Sequence, residues 1–280
     1  MKEKSVLITG CSSGIGQCLA VGLQARGYRV FAGARKPEDV SALAAQGLEA
    51  VRLDLDDSAS IRQAVQEVLA RGNGQLYALI NNAGYGQPGA VEDLTRAALR
   101  AQFETNVFGA LELTNLVLPV LRAQGHGRVI TISSLLGLVA FPYRGAYNAS
   151  KFALEGLMDT LRLELRDSGV HAALIEPGPT ETRFRSNALA AYRRHAKTES
   201  NAHAANYARM EQRLIKPRGG LFSSHPRAVL KKVIHALESA HPCAHYYVGL
   251  PTHFVALLRR VLPGRMMDWA VYKMSRGGAT

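Results

Sequence analysis

Ser5-Val-Leu-Ile-Thr9-Gly10-Cys11-Ser12-Ser13-Gly14-Ile15-Gly16 is the stretch that decides the fold. Ser5 to Thr9 is short and apolar, as a buried strand is, and Ile15 to Arg26 carries helical periodicity up to Gly27, which stops it. Between strand and helix stand three glycines. They let the backbone turn tightly and approach a pyrophosphate. The helix behind them offers unpaired N–H groups and the positive end of its dipole. A glycine triplet alone is a weak signal. In the first strand-to-helix turn it stands where dinucleotide phosphates bind.

The same alternation continues outward. Strands are predicted over 29–33, 49–53, 76–81, 128–133, 170–175 and 246–248. Helices are predicted over 38–46, 58–71 (with Ser58 as N-cap), 97–123 and 147–167. Such a pattern builds an α/β, Rossmann-type, doubly wound parallel sheet with helices on both faces. Ligands bind at the C-terminal ends of its strands. Residues 1–280 read as a single domain without repeats. Between Pro177 and Pro226 the alternation stops, and a polar, basic, helical pattern runs from Asn187 to Leu214. Residues 179–225 are therefore expected to form a lid over the site, and 251–280 an amphipathic C-terminal extension.

The chain has 280 residues, 47% apolar and 20% charged, the composition of an ordinary globular protein with a substantial core. The apolar N-terminal run is too short for a secretion signal, and no window is long enough to span a membrane. Cys11, Cys18 and Cys243 form neither a disulfide framework nor, with the histidines, a metal-ligand spacing, so no metal is expected and a reducing cytoplasm is. The net charge of +12 is uneven: residues 1–182 hold 17 Lys/Arg against 18 Asp/Glu, residues 183–280 hold 17 against 4. That excess suits an acidic substrate, a nucleotide phosphate or an anionic membrane surface, and equally a solvated face. No basic–aromatic interleaving points to nucleic acid.

The second strand selects the cofactor. NAD sites place a carboxylate at its end for the ribose 2′-hydroxyl; here Ala34 is followed by Arg35 and Lys36, with no acid before Glu38. A guanidinium and an ammonium suit a 2′-phosphate, so NADP(H) is favoured over NAD(H).

Tyr147-Asn-Ala-Ser-Lys151 opens the last long helix and puts Tyr147 and Lys151 one turn apart on one face. A phenol near pKa 10 is a poor acid/base at neutral pH, and a neighbouring ammonium lowers that pKa. Ile132-Ser133-Ser134 ends the fifth strand, Asn81-Asn82-Ala83-Gly84 ends the fourth, Asn106 lies within the long helix, and Pro177-Gly178 follows the sixth strand. In this order these motifs resemble the short-chain dehydrogenase/reductase family over roughly residues 4–180. Thr9 to Gly16, Tyr147 to Gly156 and Ile175 to Gly178 look most like its 17β-hydroxysteroid and retinol dehydrogenase branch.

The resemblance implies roles. Tyr147 is the proton donor in reduction and acceptor in oxidation. Lys151 lowers its pKa and holds the nicotinamide ribose, Ser134 steadies the substrate oxygen, and Asn106 holds a water in the proton relay. Gly10, Ser12, Ser13, Gly14, Ile15 and Gly16 meet the cofactor phosphates, and Arg35 the 2′-phosphate. Asp54 and Leu55 meet the adenine, Asn81, Ala83 and Gly84 the adenosine side, and Pro177, Gly178 and Thr180 the nicotinamide. It further implies a homodimer or homotetramer paired through the two long helices.

The final third sets the substrate. Leu189, Tyr192, Tyr207, Met210, Leu214 and Phe222 are expected to line an apolar pocket. Arg183, Arg185, Arg193, Arg194 and Lys197 either meet an acidic group or face water. Phe254, Leu257, Leu258, Val261 and Leu262 share a helical face opposite Arg259 and Arg260, and Met266, Trp269, Lys273 and Met274 follow. This segment packs on its own pocket or a partner copy, or lies on an anionic membrane as a peripheral contact. The leading expectation is NADP(H)-dependent interconversion of an alcohol and a carbonyl on a lipophilic molecule such as a steroid, retinoid or fatty aldehyde. The alternatives are a reductase of acidic acyl thioesters and a non-catalytic NADP sensor.

Overall fold

The computed structural model describes residues 4–195, 201–215 and 222–276. Lys197 and parts of the 179–225 and 251–280 segments lie outside the described residues. In chain order the elements are β1 (Ser5–Ile8), α1 (Gly14–Gln24), β2 (Arg29–Ala34), α2 (Pro37–Ala45), β3 (Glu49–Arg52), α3 (Ser58–Arg71) and β4 (Ala78–Asn81). Then come α4 (Arg96–Phe103), α5 (Gly109–Gln124), β5 (Gly127–Ile132), α6 (Gly145–Glu164) and β6 (Val170–Pro177). The final third holds α7 (Phe184–His195), α8 (Ala204–Ile215), α9 (Arg227–Glu238), β7 (His245–Val248), α10 (Leu250–Val261) and α11 (Gly264–Arg276).

The strands form one seven-stranded parallel sheet in the order β3-β2-β1-β4-β5-β6-β7. Side chains alternate across it. Val6 and Ile8 of β1 enter the layer shared with α1, α2 and α9, while Leu7 enters the layer shared with α3, α5 and α6. Both faces being covered, the inner strands are mostly apolar, which is why they read as runs rather than alternations. The strand order reverses direction between β1 and β4. That switch point opens the crevice in which the site lies.

Four features depart from the sequence reading. Asp57, not Ser58, caps α3: its carboxylate accepts the Ala59 N–H at 2.9 Å. The long helix predicted over 97–123 is split by a π-turn over Glu104–Phe108 that contains Asn106. Gly109, which follows it, abuts the chain so closely that a Cβ there would lie 2.0 Å from the Leu55 carbonyl oxygen. Helix α9, not anticipated, buries Val229, Val233, Ala236 and Leu237 and packs on α1, where the lack of a side chain at Gly22 admits Leu230.

The fourth departure concerns the lid. Leu189 and Tyr192 of α7 pack against Tyr207, Met210 and Leu214 of α8, with Ala90 and Tyr143, as a small core of their own. The Tyr207 hydroxyl accepts the Ala90 N–H at 3.0 Å and donates to Asp93. The amphipathic faces of α7 and α8 thus satisfy one another. Of the six residues expected to line the pocket, only Leu214 and Phe222 do so.

Candidate active site

The turn after β1 is stapled to the turn after β4. Thr9 Oγ1 accepts the N–H groups of Asn82 at 2.9 Å and Ala83 at 2.8 Å, and Asn82 Nδ2 donates to the Thr9 carbonyl at 2.8 Å. Gly10 (φ +71°) and Gly14 (φ +61°) occupy the left-handed region, which glycine adopts at least cost. A Cβ on Gly16 would lie 2.2 Å from the Gly10 carbonyl oxygen. Ser13 caps α1 in extended backbone without a side-chain hydrogen bond, so no side chain covers the first-turn N–H groups there.

A cavity of about 690 Å³ runs from this turn to the head of α6. Gly10, Ser12, Ser13, Gly14, Ile15, Gly16, Ala83, Gly84, Ser134, Tyr147, Lys151, Pro177, Gly178 and Thr180 all line it. Five predicted residues do not. Arg35 stands just past β2, 57% exposed, 3.7 Å from Asp56 Oδ2. Asp54 accepts the Asp56 N–H at 3.1 Å, and Leu55 is buried in the core. Asn81 donates to Thr114 Oγ1 at 2.8 Å. Asn106 is buried, and both ends of its amide are engaged by protein. Oδ1 accepts the Tyr85 N–H at 3.1 Å, and Nδ2 faces the Tyr85 carbonyl at 2.9 Å and Ser150 Oγ at 3.1 Å. Ser150 in turn donates to the Tyr147 carbonyl at 2.9 Å. The Asn106 side chain therefore ties the loop after β4 to α6.

Tyr147 is buried, with the Phe184 ring centroid 5.2 Å from its own. Burial pushes its phenol up to about 12, against a hydrogen bond from Ser134 and the charge of Arg144, which both pull it down. Lys151, expected to do that lowering, donates to the Ile132 carbonyl at 2.8 Å with Nζ 5.7 Å from the Tyr147 ring centroid. Burial takes its own ammonium down to about 8, opposed by the Glu155 carboxylate.

Glu155, one turn beyond Lys151, leads into a cluster the sequence did not reveal. Burial, with the charge of Glu176 next, pushes its carboxyl up to about 7. His245 Nδ1 lies 2.6 Å from Glu176 Oε1 and 3.7 Å from Glu155 Oε2, and Nε2 is 3.2 Å from Asp159 Oδ1. The hydrogen bond that His245 donates to Glu176 raises the His245 pKa above its usual value. Ligand atoms of Glu155, Glu176 and His245 fall within 4.8 Å of one another, but the imidazole nitrogen facing them is already committed to a carboxylate. The arrangement is that of a half-exposed imidazole hydrogen-bonded to the buried Glu176 carboxyl.

Sequence reasoning also missed Asn82, inside the quoted Asn81–Gly84 motif, and Arg144 and Phe184, for which no pattern exists. All three line the cavity.

Comparison with known proteins places this geometry. A family model described as short chain dehydrogenase matches residues 4–193. The chain is 44% identical over 266 residues to the uncharacterized oxidoreductase YbbO of Escherichia coli K12, covering 95% of this chain and 93% of that one. It is 34% identical over 252 residues to human retinol dehydrogenase 8, covering 85% and 79%. A short chain dehydrogenase from Burkholderia cenocepacia, solved in complex with NADP, superposes with a TM-score of 0.73 at 25% identity, covering 96% of both chains.

The charge of Glu155 acting on Lys151 has a testable consequence. Above pH about 7 Glu155 is a carboxylate that holds the Lys151 proton. Glu155→Gln removes that support, so the alkaline limb of the kcat/KM profile should move to lower pH. An unmoved limb would show that Glu155 does not set the Lys151 charge.

Proposed function

The chain belongs to the short chain dehydrogenase family, and on that premise we propose that it is an NADP(H)-dependent oxidoreductase interconverting an alcohol and a carbonyl on a lipophilic molecule. One observation carries the reading: a buried Tyr147, hydrogen-bonded by Ser134, faces a cavity that begins at the glycine turn and continues between Phe141, Phe184, Phe222, Leu250 and Phe254.

The turn fits a dinucleotide. Its glycines leave no Cβ to block the backbone, and the N–H groups at the head of α1 have no competing acidic side chain in the first turn. Residues Gly10 to Gly16 would hold the pyrophosphate, and Pro177 to Thr180 with Lys151 the nicotinamide half. Arg35 supports a 2′-phosphate, because its pairing with Asp56 is long and solvent-exposed, hence weak. When bound, NADPH supplies a hydride. The rest falls to this chain's side chains. Ser134 Oγ and the Tyr147 hydroxyl orient the carbonyl oxygen, and Tyr147 passes its proton to that oxygen as negative charge develops. The phenol is protonated at neutral pH, the form that donates in reduction, and its raised pKa makes the approach of the cofactor and Ser134 part of what draws the proton off.

A peripheral membrane contact is favoured by the outer face of α10 and α11. Val255 and Val271 pack inward beside Leu135, Val139 and Phe141, while Leu250 (79% exposed), Leu257 (60%), Val261 (69%) and Trp269 (61%) face outward. Arg259 and Lys273 flank them, the latter 4.2 Å above the Trp269 ring. Leu250 also lines the cavity, so this face adjoins its mouth. Among the described residues no helix is long and apolar enough to cross a membrane. Pairing of two copies through α5 and α6, where Phe152 and Leu163 are exposed, remains the expected assembly.

Three experiments check these statements. Tyr147→Phe should lower kcat for carbonyl reduction by about 10²-fold or more while NADPH binding, followed by fluorescence, persists; retained turnover excludes the mechanism. Arg35→Asp should cut the NADPH-to-NADH ratio of kcat/KM by at least about tenfold, and an unchanged ratio refutes the 2′-phosphate assignment. Flotation with phosphatidylserine vesicles should carry the protein up, and Leu257→Glu with Val261→Glu should leave it at the bottom; a wild type that never floats removes the membrane contact.

A further inference from the structure

Arg144 stands immediately before α6, three residues ahead of Tyr147, and lines the cavity. Its backbone is pinned by a bridge to Gly89. Among the described residues its guanidinium has no hydrogen-bond acceptor and no carboxylate partner. Its charged neighbours are Arg185, whose own guanidinium donates to the Arg213 carbonyl at 3.3 Å, and Arg213; burial and their charge, opposed by Tyr147, take it down to about 10. The described cavity lining holds Arg144, Lys151, Arg183 and Arg185, and neither Asp nor Glu. Lys151 is engaged by the Ile132 carbonyl. Outside the cavity the pattern differs: Arg193 of the lid is paired with Glu211 at 2.9 Å.

A half-buried guanidinium set beside other cations in a cavity without a carboxylate is stabilised when an anion joins it. Among the described residues no carboxylate lines the cavity. The acceptor must come with the ligand, and a guanidinium's fork suits carboxylate or phosphate oxygens. We infer that Arg144, with Arg185 beside it, forms an anion-binding subsite in the substrate cavity, and that the substrate is an apolar carbonyl compound bearing a carboxylate or phosphate. This rests on the alcohol–carbonyl reading above and narrows its substrate class. Arg144 is then a specificity residue: it holds the acidic end while Tyr147 and Ser134 address the carbonyl.

The test uses the full chain with NADP(H). Reduction of a long-chain ω-oxo fatty acid is compared with that of its methyl ester, and of a 2-oxoalkyl phosphate with the parent ketone. In parallel, calorimetry measures dodecanoate against dodecanol, which needs no turnover. The wild type should prefer the acid in kcat/KM and in binding. Arg144→Met should reduce that preference by about 10- to 100-fold, and Arg144→Lys should restore part of it. The carboxylate and phosphate arms decide which anion is taken. Indifference of the wild type to charge in both arms overturns the inference. So does a preference that survives Arg144→Met, or a loss of NADPH affinity in that variant. A shifted pH profile with an unchanged acid-to-ester ratio also overturns it, since Arg144 would then only tune Tyr147. If dodecanoate binding depends on Arg144 but no carbonyl is reduced, the subsite stands and the reaction assignment fails.

Discussion

The hydroxyl oxygen of Thr9 accepts two consecutive backbone N–H groups, those of Asn82 and Ala83, and so clamps the ends of β1 and β4 together at the switch point of the sheet. The close approach that follows is severe: a Cβ on Gly10 would meet Ala83 Cα at 2.8 Å, and one on Gly16 would meet the Gly10 carbonyl. Only a nearly bare backbone fits there. The floor of the cavity thus follows from a packing constraint that would hold before any ligand arrived.

On the facing wall, one stripe of α6 is graded in charge and burial. Tyr147, Lys151, Glu155 and Asp159 succeed one another at intervals of one turn. Burial holds the phenol neutral, weakens the ammonium and weakens the first carboxylate's acidity, in that order along the helix. The stripe ends at His245 of β7, whose imidazole lies between Glu176 and Asp159. Each group is charged only so far as its neighbour permits. The resting state of Tyr147 therefore depends on burial and on Ser134 and Arg144 more than on the lysine one turn away.

The sheet was legible because buried parallel strands are written as apolar runs punctuated by glycine, and the residues around the cavity because strand ends put them there. What escaped is set by three-dimensional proximity. A one-residue contest between Asp57 and Ser58 for the α3 cap is settled by which side chain reaches the Ala59 amide. The π-turn at Asn106 has no compositional mark; its amide is explained only by Tyr85 and Ser150, far away in sequence. Tyr192, Tyr207 and Met210 have the right chemistry for a pocket wall, yet α7 and α8 turn these faces toward each other. Glu155, Glu176 and His245 sit on three separate elements and show no spacing at all.

The basic final third now divides by environment. Arg193 is paired, and Arg259 and Lys273 lie over the rings of Phe152 and Trp269 at the surface, beside the outward apolar row of α10 and α11. Arg183 and Arg185 line, with Arg144, a cavity whose other walls are Phe141, Phe184, Phe222 and Phe254. Apolar walls reward a hydrocarbon by roughly 0.8 kcal/mol per buried methylene but cannot pair with a guanidinium. An acid can compensate the guanidinium but gains nothing from phenylalanines. A single molecule satisfies both demands when it has a long apolar body and an anionic end. The same amphiphile partitions to membrane surfaces, where the outward row of α10 and α11 would meet it.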